Sequence, residues 1–304
     1  MTEPDTTEPV SLLFSFWYFR NDTAFRKITT AVQAAQDRGQ TVRIMVDSGA
    51  FSADTKGHRI HVDEYGDWIR DRVLPEWGPW LVGCLNLDVL RDADASWSNW
   101  SRLSSRGFDT IPVVHFRDRP ELIDRYVSAG SDYVGLGAMV GESATVKLGW
   151  AAHVHRYVLN RHPSVRLHGL GVSGQRMVEG LPWWSVDSSS FGRAWRFGTA
   201  LVYDRQKRKM RPVHLSGPLP HPDILRMIRD DYGLRWEQIR DSGSHNRTTL
   251  VGFAARSMLA WQHDLRRSRT VSPPPSKVGD GPHLTHAETS PNDIPPFLEA
   301  QCQP

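Results

Sequence analysis

The chain has 304 residues, 39% of them hydrophobic and 23% charged, which excludes disorder throughout and leaves room for one large core or two smaller ones. The formal net charge is +3, with the basic excess late in the chain, in Arg205-Gln206-Lys207-Arg208-Lys209-Met210-Arg211 and Arg266-Arg267-Ser268-Arg269. Such runs are more often a solvated face than a nucleic-acid footprint, and point only weakly to a polyanionic partner. Two cysteines, Cys84 and Cys302, exclude a disulfide framework and a Cys-rich zinc site, and fit a reducing cytoplasm.

Residues 1–10 are polar and acidic, without a basic n-region or an apolar h-region, so they read as a flexible N-terminus and not as a secretory signal. Short apolar runs then recur, each ending at polar residues or glycine: 12–19; 42–46 before Asp47-Ser48-Gly49; 80–87 before Asp88; 111–114 before His115; 133–134 before Gly135-Leu136-Gly137; 165–167 before His168-Gly169-Leu170-Gly171; and 184–186 before Asp187. Amphipathic stretches at 23–38, 62–73, 96–105, 120–129 and 145–160 lie between them, each long enough for a crossover helix. Strands alternating with helices predict a parallel sheet, and near-continuous hydrophobicity predicts strands buried on both faces. With an eighth run at 199–203, residues 11–215 predict an α/β fold of the (β/α)8 TIM-barrel type, with a doubly wound sheet as the alternative.

Beyond residue 215 the character changes. Residues 216–268 predict a small C-terminal helical extension, with helices at 222–231 and 248–267; the second carries Leu250, Phe253, Ala254, Met258 and Trp261 at helical spacing. Residues 269–304 are rich in Pro, Ser, Gly and Thr and read as a disordered tail. No run of 18 apolar residues occurs, so no membrane span and no membrane partner is expected.

In a barrel of this kind the active site lies at the C-terminal ends of the strands. Those ends carry Asp47, Asp88, His115, the Gly135-Leu136-Gly137 turn, His168 and Asp187, so three carboxylates and two imidazoles converge on one mouth. Taken singly, each has a plainer reading. Asp47 before Ser48-Gly49, and Asp187 before three serines, suit Asx-turns or helix caps; Asp88 precedes Asp92 and Asp94 and suits a solvated loop; the histidines suit satisfied near-core positions; the glycines suit a tight turn. Paired carboxylates at a shared mouth suit glycosidic-bond chemistry, one attacking the anomeric carbon and the other moving a proton. Phe51 and the neighbouring glycines suit a planar heterocycle.

At this point the residues resemble a family. "VDSGAFS" at 46–52 resembles the Asp-Ser-Gly-Gly-aromatic-Gln signature of the tRNA-guanine transglycosylases, and "YVGLGAM" at 133–139 resembles their glycine-rich base-recognition turn. The stretch containing "HGLG" and "LPWWSVDSSSFGRAWRFG" is similar to the phage and bacterial relatives that act on DNA, the DNA 7-deazaguanine transglycosylases. The resemblance spans roughly residues 11–205 and implies a pentosyltransferase that exchanges guanine in DNA for a free 7-deazaguanine base such as preQ0. By it, Asp187 is the nucleophile and Asp47 the general acid/base; Ser48, Gly49, Phe51, Asp88, His115, Gly135, Leu136, Gly137 and His168 hold the base; and Arg193 and Arg196 contact nucleic-acid phosphates. Those two arginines equally suit stacking on Trp195 or pairing with surface acids.

The signature departs from the family at Ala50 and Ser52, and His115 stands near where the family has a base-reading glutamine. The tRNA-acting enzymes also carry a structural zinc on three cysteines and a histidine; two cysteines cannot form it, and His214, His221, His245 and His263 do not replace thiolates at suitable spacing. No cofactor and no structural zinc are therefore expected, and the polymer expected is DNA, with tRNA as the alternative. A cytoplasmic location, the host's if the protein is phage-encoded, and a homodimer are compatible with the resemblance. A barrel glycoside or nucleoside hydrolase and a catalytically silent nucleic-acid-binding barrel are the readings from other classes.

Overall fold

Alternating strand and helix signals become, in a computed structural model, two parallel sheets with helices packed against them. The structure describes residues 9–139, 141–240 and 247–268, and the backbone of Glu288–Pro291. The first sheet has the order β1 (Val10–Ser15), β2 (Val42–Asp47), β3 (Leu81–Leu85), β4 (Thr110–Ile111). In the second, β5 (Val113–His115), β6 (Tyr133–Gly137), β7 (Arg166–Gly169) and β8 (Ser185–Ser188) lie in sequence order, and β11 (Glu288–Pro291) sits outside β8. An antiparallel pair, β9 (Thr199–Asp204) and β10 (Lys209–His214), stands apart from both sheets.

β4 and β5 are one expected run, 111–114, cut by Pro112, which has no N–H for the ladder. Its carbonyl still accepts from Gly135, and that of Ile111 accepts from Asn86, so the two sheets stay in step across the break. The expected run 12–19 also stops early. After Ser15 the chain turns into a short helix, Phe16–Phe19, because Phe16 and Phe19, one helical turn apart, both bury in the same cluster.

The crossover helices follow the amphipathic stretches closely. Asp22–Asp37, Ala93–Ser105 and Ala144–Arg161 are capped by the side chains of Asn21, Asp92 and Ser143, each accepting from a first-turn amide. Val62–Trp68 continues through a π-helical turn, Ile69–Val73; Leu122–Ser128 answers the stretch 120–129, and a further helix, Gln175–Gly180, crosses from β7 to β8.

Each strand divides its side chains between two cores. From β2, Ile44 and Val46 pack with Phe14, Phe25, Trp68 and Trp77 against the helices, while Met45 packs with Leu85, Ile111, Val113, Tyr133 and Trp184. That second cluster is the telling one, since it draws residues from both parallel sheets into a single inner layer. β1 and β11, the outer strands of the two sheets, lie beside each other.

Two expectations need correction. The run at 199–203 does form a strand, but it pairs antiparallel with β10, in the register Tyr203 to Met210, and joins neither parallel sheet. A tight basic turn at 205–208 returns the chain at once, and a parallel partner needs a crossover that this turn cannot supply. Within the tail expected to be disordered, Glu288–Pro291 is a strand paired parallel with Ser185–Ser188; the rest of 269–304 lies outside the described residues, as do residues 1–8. The physical reason is the edge of β8, whose backbone donors and acceptors need partners. The helices at 222–231 and 248–267 are present as Pro222–Tyr232 and Arg247–Ser268, and pack on the β9–β10 hairpin through Ala200, Val202, Val213, Ile228 and Phe253. Among the described residues no helix is long and apolar enough to cross a membrane.

Candidate active site

β2 ends on Asp47, on the Met45 face of the strand and opposite Ser15 in the register with β1. Gly49 turns the chain immediately afterwards with φ +76°, and a Cβ there would fall 2.3 Å from Ser15 Oγ and 2.5 Å from Trp17 Cβ, so only glycine fits. Its amide donates to Asp47 Oδ2 at 3.1 Å, which makes the Asx-type turn real. That turn does not exhaust the role of Asp47. The residue keeps an open side, yet protein atoms crowd the carboxyl elsewhere, and this burial raises its pKa from 3.8 to about 7. The negative charges of Asp88 and then Asp187 push in the same direction. The Gly49 amide and the Ser15 hydroxyl oppose them weakly, Ser15 without meeting hydrogen-bond geometry.

Asp187 has no such turn. The serines after it look to themselves, Ser190 N donating to Ser188 Oγ at 3.1 Å. Asp187 Oδ1 instead accepts from the Gly171 amide at 2.9 Å, across from β8 to the loop after β7. His168 Nε2 lies 3.3 Å from the same oxygen and has no hydrogen-bond partner among the described residues. Both contacts fall on Oδ1, so Oδ2 takes part in neither. Asp187 is only 7% exposed and His168 1%. Behind them, His168 Nδ1 meets Ser185 Oγ at 2.6 Å and Tyr133 Oη meets the same hydroxyl, a buried polar chain that fixes the imidazole.

The third carboxylate sits just past β3. Asp88 Oδ2 and His115 Nε2 are 2.6 Å apart, with side-chain exposures of 12% and 6%. Burial works to lower the pKa of His115, but the bond and charge of Asp88, helped by Asp118, outweigh it and the net shift is upward. Asp118 also accepts from the His115 amide at 2.9 Å. Asp92 and Asp94 differ in kind: Asp92 caps the next helix and Asp94 pairs with Arg125 at the surface.

Compared with protein-family models and with curated proteins, the sequence matches none. Asp47, Asp88 and Asp187 lie close enough for each of the other two charges to reach Asp47, with His115 on one flank and His168 on the other. The arrangement holds one carboxyl whose proton is exchangeable near neutrality beside a second whose Oδ2 has no hydrogen-bond partner among the described residues. Such a pair can divide acid/base and nucleophilic roles.

The remaining candidates separate. Ser48 is fully buried, and its hydroxyl accepts from the Ala50 amide, a local turn contact. Phe51 is 47% exposed on the short helix Ala50–Asp54, available for stacking at the mouth. Gly135 and Gly137 leave no open space: a Cβ would meet Leu170 Cδ1 at 2.8 Å at the first, and Val113 Cγ1 at 3.2 Å at the second. Leu170 therefore fills the notch they create. The side chain of Leu136 goes to the helix-facing core with Val134 and cannot contact a ligand at the mouth, by strand alternation. Arg193 and Arg196 are exposed on the helix Arg193–Phe197; Arg196 stacks on Trp195 at 5.0 Å, one of its two expected dispositions.

Two cavities flank the mouth. One, of about 740 Å³, has Asp88 and the Ala50–Asp54 helix in its wall; the other, about 400 Å³, is bounded by Leu170, Gly171, Lys147 and Arg176. Among the described residues, three of the four non-glycine residues with left-handed backbone, Arg91, Arg117 and Ala138, lie in the loops leaving β3, β5 and β6, as strained residues at functional mouths do. Among the described residues no group of three or more His, Cys, Asp or Glu is placed to hold a metal ion. Ser185, Tyr133, Ser15 and Gly171 belong to the site but were not singled out as site residues by the sequence. Gly171 ends the quoted "HGLG" stretch, and Ser185 gives a signal as a hydroxyl two residues before Asp187 and so on the same strand face.

Proposed function

We propose that this chain is a base-exchange transglycosylase on a (β/α)8 barrel, which removes guanine from a polynucleotide, DNA before tRNA, and inserts a 7-deazaguanine. The inner layer shared by the two sheets and the adjacency of β1 and β11 support the barrel. The observation that carries the function is the pairing of Asp47, its pKa raised to about 7, with Asp187, whose Oδ2 takes no part in the contacts of its partner oxygen.

In this reading an Asp187 carboxylate oxygen attacks C1′ of the target nucleotide. The C1′–N9 bond breaks, and Asp47 gives its proton to the departing guanine. An ester now joins C1′ to Asp187. The incoming base then loses its N9 proton to Asp47 and attacks C1′, and the ester bond breaks to restore the Asp187 carboxylate. A carboxyl with a pKa near 7 suits both directions, because it is neither fully protonated nor fully ionised at neutral pH. Asp88 and His115 face the edge of the base as an acceptor–donor pair, and Phe51 covers one of its faces. A base stacked in a duplex cannot reach such a site, so the nucleotide enters flipped or single-stranded.

The test is incubation of wild type, Asp187→Ala and Asp47→Asn with guanine-containing DNA, with tRNA, and with labelled guanine or preQ0. Label should enter DNA with wild type only, and denaturing electrophoresis should show a polymer adduct that Asp187→Ala lacks. Label in tRNA alone would overturn the choice of polymer. Release of base or sugar without exchange would overturn the reaction.

A further inference from the structure

The wall of the smaller cavity and the β9–β10 hairpin meet in a way that the acid/base chemistry leaves unused. Gly171, whose amide holds Asp187, lines this cavity, so the loop after β7 links its wall to the carboxylate. Its volume, about 400 Å³, is that of a small-molecule site and accepts a nucleotide-sized group. Lys147 reaches it from the helix Ala144–Arg161 and Arg176 from the helix Gln175–Gly180, with Thr145 and Ser173 as hydroxyl donors. Neither cation has an ion-pair partner among the described residues. The acids nearby are occupied: Glu142 binds Arg117, and Glu179 accepts from Gln175 and Trp261.

Gln175, next to Arg176, continues the wall outward. Its Nε2 donates to the Arg208 carbonyl at 2.8 Å, and its Oε1 accepts from the Met210 amide at 3.0 Å. This two-point clamp fastens the turn between β9 and β10 to the cavity rim. The turn carries Arg205, Lys207, Arg208 and Lys209, all exposed. Three of these are partly answered, Arg205 by Asp231, Lys207 by Asp223 and Arg208 by the Tyr203 hydroxyl. Lys209 has no ion-pair partner among the described residues, and Arg208 holds a left-handed φ of +48°, a conformation glycine or asparagine takes more easily.

We infer that Lys147, Arg176 and the clamped turn with Arg208 and Lys209 form a single-stranded nucleic-acid track, which carries the phosphates flanking the nucleotide presented to Asp187. This deepens the base-exchange reading and rests on it. Phosphates call for unpaired cations at the surface, because affinity for a polyanion comes from releasing its counterions and an arginine already bound to a carboxylate contributes little. Spacing favours a strand over a compact anion: the cations run from the cavity, through Arg176, to the far side of the Gln175 clamp.

The experiment measures fluorescence anisotropy of a labelled guanine-containing single-stranded oligonucleotide with the full chain, across a salt series. Lys147→Gln/Arg176→Gln/Lys209→Gln is compared with Arg26→Gln/Lys27→Gln/Arg38→Gln, three changes of equal charge on and just after the helix Asp22–Asp37. Three lost phosphate contacts should flatten the slope of log K against log salt by about 2 and weaken binding roughly tenfold to a hundredfold near 0.1 M salt. The control triple should bind as wild type. Equal binding by the two triple variants overturns the track and leaves base exchange standing if label still enters DNA. No oligonucleotide binding by wild type, or binding to phosphatidylserine vesicles in its place, overturns the track; absence of label incorporation by wild type in the exchange assay separately overturns the reading beneath it. Circular dichroism of both triples separates unfolding from lost contacts.

Discussion

Replacing Asp47 by asparagine should make the folded protein more stable, and increasingly so as pH rises. The sign follows from where the proton prefers to sit. Folded Asp47 has a pKa of about 7 against an ordinary 3.8, so the folded state holds the proton more tightly than the unfolded one. The stability this confers is complete below 3.8 and is lost as pH climbs through 7, where a buried anion must form beside Asp88 and Asp187. The difference of about 3 pKa units corresponds to about 4 kcal/mol lost at pH 8, about 3 at pH 6 and about 0.6 at pH 4. These are upper figures, since solvent reaches the open side of the carboxyl. Asparagine removes the charge and keeps an oxygen for the Gly49 amide. Urea unfolding followed by fluorescence of the 12 tryptophans, at pH 4, 6 and 8, gives the gain of Asp47→Asn over wild type at each pH. A gain that does not grow between pH 4 and pH 8 would refute the reasoning, because any pH-independent effect of the amide cancels in that comparison.

Exchange activity should fall on an alkaline limb centred near pH 7 as Asp47 loses its proton, and Asp88→Asn, by removing the larger of the two neighbouring charges, should move that limb to lower pH in a pH–rate profile. Gly49→Ala places a Cβ against Ser15 and Trp17 in a left-handed conformation, and should cost about 2 kcal/mol or more in urea unfolding. Ser185→Ala strands the Tyr133 hydroxyl and His168 Nδ1 in the interior; it should cost about 1–3 kcal/mol, part of which Tyr133→Phe in the same chain should recover, as a double-mutant cycle would show.

The strand–helix rhythm was legible because strands buried on both faces are long apolar runs, and the polar residues that end them stand out. That is how Asp47, Asp88, His115, His168 and Asp187 were found, and the structure brings Asp88 against His115 and His168 against Asp187. What the rhythm could not express is which strand pairs with which. Residues 199–203 have the composition of an eighth parallel strand, but the four-residue turn after them decides for a hairpin, and Glu288–Pro291 has no apolar pattern to announce a strand. Glycine roles were also hidden. Gly135 and Gly137 read as room for a flat ligand, whereas Leu170, more than thirty residues later, occupies that room. A close packing partner far along the chain leaves no trace in local spacing.

The pairing of Glu288–Pro291 with the strand that bears Asp187 sets an order of events on the ribosome. When Ser185–Ser188 emerges, its partner is still about a hundred residues from being made. Until then the strand that carries Asp187 presents a bare edge, at the stage when a nascent chain is most exposed to wrong pairings. Its chaperone demand should therefore persist until that segment emerges from the exit tunnel, long after the carboxylates themselves have been synthesised.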